Sequence, residues 1–153
     1  MNLPESTSPY EPLQSVSDQW LEKLSTSGYR LTNPLRVIVK VFTKSGHTLS
    51  PNQVFDEARR IYPQIGLVTV YRTLEKLEEL GLIWRVHEVA GCHTYVAAPV
   101  SHQHLLICRA CNRAEYIQGE EIETLMAHLG AESGYIIQDH WLQLFGVCCE
   151  CQT

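Results

Sequence analysis

Residues 66–81 read GLVTVYRTLEKLEELG and have the apolar spacing of an amphipathic helix. We predict that this helix covers residues 68–80 and ends at Gly81, because glycine is favoured just after a helix. Its first turns carry hydroxyl, aromatic and guanidinium groups that suit DNA bases and phosphates. A solvated helix face has the same composition, so the interpretation depends on the surrounding elements. The polar side chains are Thr69, Tyr71, Arg72 and Thr73, and the predicted inward face is Val70, Leu74, Leu77 and Leu80.

Three shorter helices are predicted before this one. We place the N-cap of the first at Ser17. The second and third begin at Pro34 and Pro51, because proline is favoured in the first turn of a helix. After the fourth helix, residues 82–97 have the pattern of two short strands around a turn. This order predicts a winged helix, whose last helix enters the major groove of DNA.

Charge and cysteine are divided unevenly along the chain. The formal net charge is −5, yet residues 13–91 carry ten of the twelve Lys and Arg against eight acids, a net charge of +2. Residues 92–153 carry two bases against seven acids, together with all six cysteines. This division indicates two modules, one suited to a polyanion and one to metal chemistry.

We therefore expect an α+β chain in three parts. Residues 1–14 are rich in proline and polar residues and are predicted to form a flexible arm, followed by a winged-helix DNA-binding domain over 15–98. Residues 99–153 are predicted to form a small α/β module that binds metal. The elements predicted for this module are strands over 102–108, 114–118 and 135–148, and a helix over 120–129 with Ile122, Leu125, Met126 and Leu129 inward.

Two Cys-x-x-Cys pairs are the most specific metal signal. Cys108 and Cys111 form the first pair, and Cys148 and Cys151 form the second. Each pair places two thiolates at one tight turn, and two pairs complete the closed tetrahedral shell typical of structural zinc. Buried or redox cysteines and an iron–sulfur cluster are the alternatives.

A second metal site is indicated by His102 and His104, which share one face of a predicted strand. Glu123 and His140 would complete a set of three nitrogens and one oxygen, which suits several divalent metals, Zn²⁺ and Fe²⁺ among them. Surface histidines are the alternative. Further candidate ligands, each more often a surface or packing residue, are His47, His87, Cys92 and His93.

Taken in order, these motifs resemble the ferric uptake regulator (Fur) family, from about residue 17 to the C-terminus. The resemblance implies a homodimeric, metal-responsive repressor with an N-terminal winged helix and a C-terminal α/β dimerisation domain. It also implies structural Zn²⁺ and a second divalent metal, Zn²⁺ or Fe²⁺. The matching motifs are TVYRTL at 69–74, the histidine pair at 102 and 104, both cysteine pairs, Gly134-Tyr135 and His140.

Matched position by position, the resemblance places the family's structural zinc ligands on the four paired cysteines. Its DNA-reading tyrosine and arginine fall on Tyr71 and Arg72, and its minor-groove basic residue falls on Arg30. The predicted hairpin at residues 82–97 is the wing of the winged helix. Arg85, in this wing, is a further candidate for phosphate contact. The family's core metal site falls on His102, His104, Glu123 and His140.

The chain departs from the family pattern at the interdomain sensing site. The interleaved histidine positions fall on Gln103 and Leu105, and two zinc-sensor positions fall on Trp84 and Ala98. We therefore expect this site to be lost. Sensing would then depend on the core metal site alone, or on a shifted interdomain site built from His47, His87, Cys92 and His93.

The sequence thus predicts a cytoplasmic repressor of metal homeostasis genes that binds operator DNA as a metal-loaded homodimer. No stretch approaches the roughly 18 apolar residues of a membrane helix. A zinc-binding interaction or storage protein is the alternative, but it would not need Arg30, Tyr71 and Arg72. We expect no catalytic residues, because a hydrolytic zinc enzyme needs an open coordination position.

Overall fold

A computed structural model describes residues 15–87, 93–99 and 103–152. The predicted N-terminal arm and the tip of the hairpin lie outside these described residues. The first half contains α1 (Val16–Thr26), α2 (Asn33–Lys44), α3 (Pro51–Ile61), α4 (Leu67–Glu79), β1 (Ile83–His87) and β2 (His93–Ala97). The second half contains β3 (Gln103–Cys108), β4 (Ala114–Gln118), α5 (Glu120–Ser133), β5 (Gln143–Gly146) and a 3₁₀ turn (Cys149–Cys151). The α+β class and the predicted order of helices and hairpin are confirmed.

Local sequence explains where the helices begin. Ser50 and Gln53 form a capping box at α3, in which each side chain accepts a hydrogen bond from the other residue's backbone N–H, at 3.3 and 2.8 Å. The prediction of Ser17 as the cap of α1 is wrong. Ser15 fills that position, because its extended backbone lets its hydroxyl accept from the Asp18 N–H at 3.1 Å, whereas Ser17 already lies in the first turn.

The main hydrophobic core lies between the four N-terminal helices and one face of the hairpin. Helix α2 contributes Ile38, Val39 and Phe42, whose exposure is 1% or less. Helix α4 contributes side chains one turn apart, as its sequence predicts, although Leu80 is only half-buried. The packing turns the polar side of the first turns of α4 outward. The buried residues of α4 are Val70, Thr73, Leu74 and Leu77.

The β1–β2 hairpin is covered on both faces, which its sequence pattern does not indicate. Ile83 and Tyr95 belong to the main core, whereas the opposite face packs on the strands β3 and β4. The hairpin therefore belongs to two cores and lies between the helices and the C-terminal sheet. The second core consists of Val86, Val96, Leu105, Ile107 and Ala114, with Trp84, Tyr116 and Phe145 packed against it.

The C-terminal sheet has the order β4-β3-β5. Strand β3 pairs antiparallel with β4 and parallel with β5, and Leu105 lies opposite Gln143 in the parallel pair. The strand predicted over 135–148 is therefore wrong except at 143–146. A strand needs a paired neighbour, and among the described residues β3 offers one to this segment only over 105–108.

Helix α5 is longer than predicted and ends at Gly134, which adopts φ +72°. The predicted inward face is wrong for the single chain, since no side chain of α5 is buried. Leu125 is 50% exposed and Leu129 is 41% exposed, while Ile122 and Met126 are half-buried. In the part of the chain that the structure describes, no second layer covers this face. None of the described helices has the length and apolar composition of a membrane crossing.

Candidate metal centres and nucleic-acid interface

Four cysteine sulfurs meet at one end of the C-terminal sheet. Cys108 and Cys111 lie at the turn between β3 and β4, and Cys148 and Cys151 follow β5. All four sulfurs lie within 4.8 Å of one another, and the Sγ atoms of Cys111 and Cys148 are 3.8 Å apart. Four sulfurs held tetrahedrally about 2.3 Å from one zinc ion are about 3.8 Å apart, so the donor set fits Zn²⁺ in size and chemistry. A cluster of several irons distributes the four thiolates over different irons and therefore needs wider spacing.

Backbone N–H groups hydrogen-bond to the cysteine cluster and favour the thiolate form that binds a cation. The N–H of Cys148 donates to the Cys108 sulfur at 3.3 Å, and this bond, with others from Cys111 and Ala110, lowers the pKa of Cys108 to about 6. The pKa of Cys151 rises to about 12, mainly because its thiol hydrogen-bonds to Cys148 and, to a smaller extent, because it hydrogen-bonds to the other thiols. These opposite shifts in pKa favour the thiolate at Cys108 and the protonated thiol at Cys151, and a bound cation would replace the thiol proton.

The cysteine turn is attached to the loop between α2 and α3. The Thr48 N–H donates to the Asn112 carbonyl at 2.9 Å, and the Ala114 N–H donates to the Gly46 carbonyl at 2.9 Å. Asn112 has φ +61°, a left-handed conformation that lets the chain reverse between the first cysteine pair and β4. The cysteine cluster therefore fixes a contact with the helical part of the chain as well as the end of the sheet.

Two of the predicted core-site histidines come together. The ring centroids of His104 and His140 are 5.0 Å apart. His104 is only 5% exposed, and its Nε2 atom has no hydrogen-bond partner among the described residues. Burial lowers the pKa of His104, proximity to His140 lowers it further, and Glu123 raises it. Glu123 is thus close enough to act on His104, while His102 lies outside the described residues.

A metal ion would resolve the unsatisfied nitrogen of His104. A buried polar atom without a partner destabilises a fold, and an imidazole nitrogen is a good ligand for divalent metals. Glu123 and His140 both line an open cavity of about 570 Å³ beside α5, which gives ions access from solvent. The donor types of the three described residues suit a divalent cation, although among the described residues only the four cysteines already hold their ligand atoms close enough together to bind one.

Of the alternative interdomain ligands, His47 lies apart from the other two described residues. His87 and His93 are paired across the hairpin, and both are exposed. His47 lies elsewhere: Leu49 pairs with Tyr95, so His47 lies towards the other end of β2, about four residues or 13 Å from His93. Cys92 falls outside the described residues. In the structure, therefore, His47 does not join the other histidines.

The predicted DNA-binding side chains are accessible to solvent. Arg30, Thr69, Tyr71 and Arg72 are all exposed, and Tyr71 has 46% of its surface accessible. The prediction for Thr73 is wrong, because this residue is 4% exposed and its hydroxyl donates to the carbonyl of Thr69 at 2.8 Å. The accessible side chains are thus those that the helix period places opposite the core.

Arg85 was a further candidate for phosphate contact, but it makes its contacts within the protein. Its guanidinium donates to Glu78 at 2.8 Å and lies 5.6 Å from the ring of Tyr95. The hydrogen bond to Glu78 is the largest cause of its raised pKa. Arg85 therefore ties the hairpin to α4 and holds the wing beside the helix.

Three residues that sequence reasoning missed join the C-terminal sheet to the hairpin. The Gln143 amide bonds to the backbone of β1 at Arg85 and His87. The Trp141 ring packs edge-on against the His87 ring at 4.7 Å, and the Tyr116 hydroxyl donates to the carbonyl of Ala97. No motif marks these side chains, because their roles depend on how the hairpin docks.

Comparison with known proteins agrees with this arrangement. The model of the ferric uptake regulator family matches residues 26–145. The chain is 32% identical over 134 residues to the ferric uptake regulation protein of Neisseria gonorrhoeae, covering 87% of this chain and 93% of that protein. It is 30% identical over 130 residues to the zinc uptake regulation protein of Mycobacterium tuberculosis, covering 85% and 100%.

Solved structures share the fold. The ferric uptake regulator of Helicobacter pylori superimposes with a TM-score of 0.74 at 23% identity, over 92% of this chain and 96% of that one. The family match spans α2 to α5, the hairpin, and the sheet as far as β5, and it includes all four of the His and Glu positions grouped here. With the four-cysteine cluster and the exposed start of α4 in the same chain, the protein belongs to the ferric uptake regulator family.

Proposed function

We propose that the protein is a metal-responsive transcriptional regulator that represses metal homeostasis genes by binding operator DNA as a metal-loaded homodimer. One observation carries the proposal: a zinc-sized cluster of four sulfurs and an exposed, arginine-bearing helix start occur in one folded chain. The relatives of this chain are named as regulators of ferric and of zinc uptake.

The DNA-binding surface is the N-terminal half of α4. Arg72 offers a planar guanidinium that can bond twice to one guanine edge, and Tyr71 offers an aromatic face for thymine methyl groups. Thr69 and the unpaired N–H groups of the first turn can donate to phosphate. Arg30, before α2, is the candidate for the adjacent minor groove.

Two kinds of metal site are assigned to the C-terminal module. Structural Zn²⁺ is held by Cys108, Cys111, Cys148 and Cys151, where it crosslinks the two ends of the sheet module. The second divalent metal, Zn²⁺ or Fe²⁺, is held by His102, His104, Glu123 and His140, where it would neutralise Glu123 and satisfy the buried nitrogen of His104. A closed four-sulfur shell leaves no position for substrate, so we propose no catalytic activity.

A second copy of the chain is proposed to cover α5. Leu125 and Leu129 form an exposed apolar strip on this helix, and Ile136, just beyond it, is 90% exposed. Such surface is typical of a subunit interface. Two recognition helices in one dimer would meet successive major grooves about 34–36 Å apart.

The free thiols of the cluster agree with a reducing cytoplasm as the place of action.

The experiment that tests the function is selection from a random library of DNA duplexes. The zinc-loaded protein is incubated with the library, with and without added Zn²⁺ or Fe²⁺, and the bound duplexes are sequenced. We expect enrichment of an A·T-rich palindrome that depends on the second metal. A zinc-storage or interaction protein would bind metal and enrich no sequence, and that result would reject the proposal.

A further inference from the structure

The four residues from His140 to Gln143 lie between the second metal site and the wing. The ring of His140 lies 5.0 Å from that of His104. The next residue, Trp141, contacts the His87 ring of β1 at an interplanar angle of 79°. Successive side chains of this short segment therefore reach opposite neighbours, one at the metal site and one on the hairpin.

Gln143 makes the most specific contact of the segment. Its Nε2 donates to the carbonyl of Arg85 at 3.0 Å, and its Oε1 accepts from the N–H of His87 at 3.4 Å. A primary amide carries the same donor and acceptor as a peptide group. Gln143 thus bonds to the edge of β1 that faces away from β2, in the way that a third strand would.

The backbone of this segment is fixed to the C-terminal sheet. Gln143 is the first residue of β5 and lies opposite Leu105, and the Leu105 N–H donates to the Leu142 carbonyl at 3.5 Å. His104, next to Leu105 on β3, faces His140. The His140 ring, which a metal at this site would contact, is therefore only three residues from the Gln143 amide.

We infer that residues 140–143 couple the second metal site to the wing, with Gln143 as the positioning residue. This inference rests on the proposed function, because the output that it controls is DNA binding. In this chain Gln103 and Leu105 occupy the positions at which the family resemblance places interdomain histidines, and Leu105 is fully buried. Direct hydrogen bonds from β5 take the place of a metal bridge between the two parts.

The first test measures amide hydrogen exchange at His87 in the wild-type protein. Zinc occupies the cysteine cluster throughout, and one further equivalent of Zn²⁺ is added. We expect exchange of the His87 amide to slow about tenfold, since its bond to Gln143 is held more firmly. Exchange at Glu75 on α4, remote from β5, serves as the reference. An unchanged His87 rate on addition of Zn²⁺ would overturn the inference without any variant.

The second test uses Gln143→Met, which keeps the side-chain length and removes both hydrogen bonds. The ratio of operator affinities with and without the second equivalent of Zn²⁺ should fall roughly tenfold, equal to about 1.4 kcal/mol, as expected for one or two hydrogen bonds. By linkage, the gain in Zn²⁺ affinity that DNA produces should shrink by the same factor. Gln118→Met, a matched change at an exposed position on β4, should leave both quantities within twofold.

The outcomes separate the inference from the proposed function. A Gln143→Met protein that retains the full metal-dependent ratio overturns the coupling role while leaving a metal-dependent regulator. If the wild-type protein binds no DNA sequence selectively, the proposed function fails. Slower His87 exchange on addition of Zn²⁺ would then still support the mechanical link. If Gln143→Met does not fold, the wild-type exchange measurement decides the question alone.

Discussion

Truncation of Val86 tests whether the wing is shared by two cores. Val86 is 0% exposed and faces β3 and β4 rather than the helices. Val86→Ala removes two carbons, worth about 1.6 kcal/mol at roughly 0.8 kcal/mol per buried methylene. The partly relaxed cavity adds some tenths more, so we expect a loss of about 2 kcal/mol in the free energy of unfolding.

The matched control is Val39→Ala, because Val39 is also 0% exposed but lies on α2 in the main core. Both variants are compared with the wild type in the zinc-loaded state, by urea unfolding and amide hydrogen exchange. A loss of about 2 kcal/mol corresponds to about 30-fold faster exchange. Val86→Ala should produce this at Leu105 and Ile107 on β3, whereas Val39→Ala should produce it in the N-terminal helices.

The part of the chain in which Val86→Ala accelerates hydrogen exchange decides whether the wing belongs to both cores. If Val86→Ala accelerates exchange only in α1–α4 and leaves β3 unchanged, the hairpin is not part of the second core. The inference that residues 140–143 act on a docked wing would then lose its structural basis. A loss below about 0.5 kcal/mol, typical of a surface position, would contradict the burial of Val86.

Three further predictions concern the sites. Cys111→Ser should remove the structural zinc and the protection of β3–β5 from amide hydrogen exchange, while the N-terminal helices remain folded. Metal analysis and hydrogen exchange check this result. Cys149→Ser, which changes a cysteine outside the cluster, should keep the zinc. Arg72→Ala should weaken operator binding about 5- to 150-fold, the range for a bidentate base contact, whereas Arg60→Ala should change it less than twofold in the same binding assay. Burial raises the pKa of Tyr116 from 10.0 to about 12, so the stability that this protonated phenol contributes should be complete below pH 10 and be lost as the pH rises towards 12, as absorbance titration with parallel unfolding measurements would show.

The helices were predictable because local rules determine them. The fourth helix was predicted over 68–80 and is found at 67–79, since its apolar period and flanking glycines act within one or two turns. Pro34 and Pro51 lie in the first turns of α2 and α3 for the same reason. Ser15 took the cap predicted for Ser17, an error of two residues between neighbouring serines that differ little in local sequence.

The packing of the hairpin was not predictable, because it depends on contacts far apart in the chain. Val86 and Val96 alternate with residues of the main core, and a strand covered on one face shows the same alternation. The long apolar segment from Tyr135 was predicted as a strand for a related reason. Its residues have the composition of a strand, but pairing depends on the length of the neighbouring edge.

The metal sites differ in how much of them the sequence could show. The cysteine pairs were grouped correctly, because both ligands of a pair come from one tight turn and only the two pairs had to be matched. His104 and His140 also meet as grouped, while the participation of His102 stays a prediction. His47 does not join His87 and His93, because strand register, which the sequence does not state, places His47 towards the opposite end of β2, while the participation of Cys92 stays a prediction.

The low positive charge of the N-terminal part explains why DNA binding depends on a rigid attachment of the wing to the C-terminal part. Residues 13–91 have a net charge of only +2, and DNA affinity rises with the number of phosphates neutralised. One winged helix of this charge would bind weakly, so useful affinity requires two of them at the correct spacing. Any looseness between the wing and the C-terminal part that carries α5, the proposed dimer surface, reduces that gain. A clamp such as Gln143, tightened from the metal site, therefore acts on the quantity that limits DNA binding.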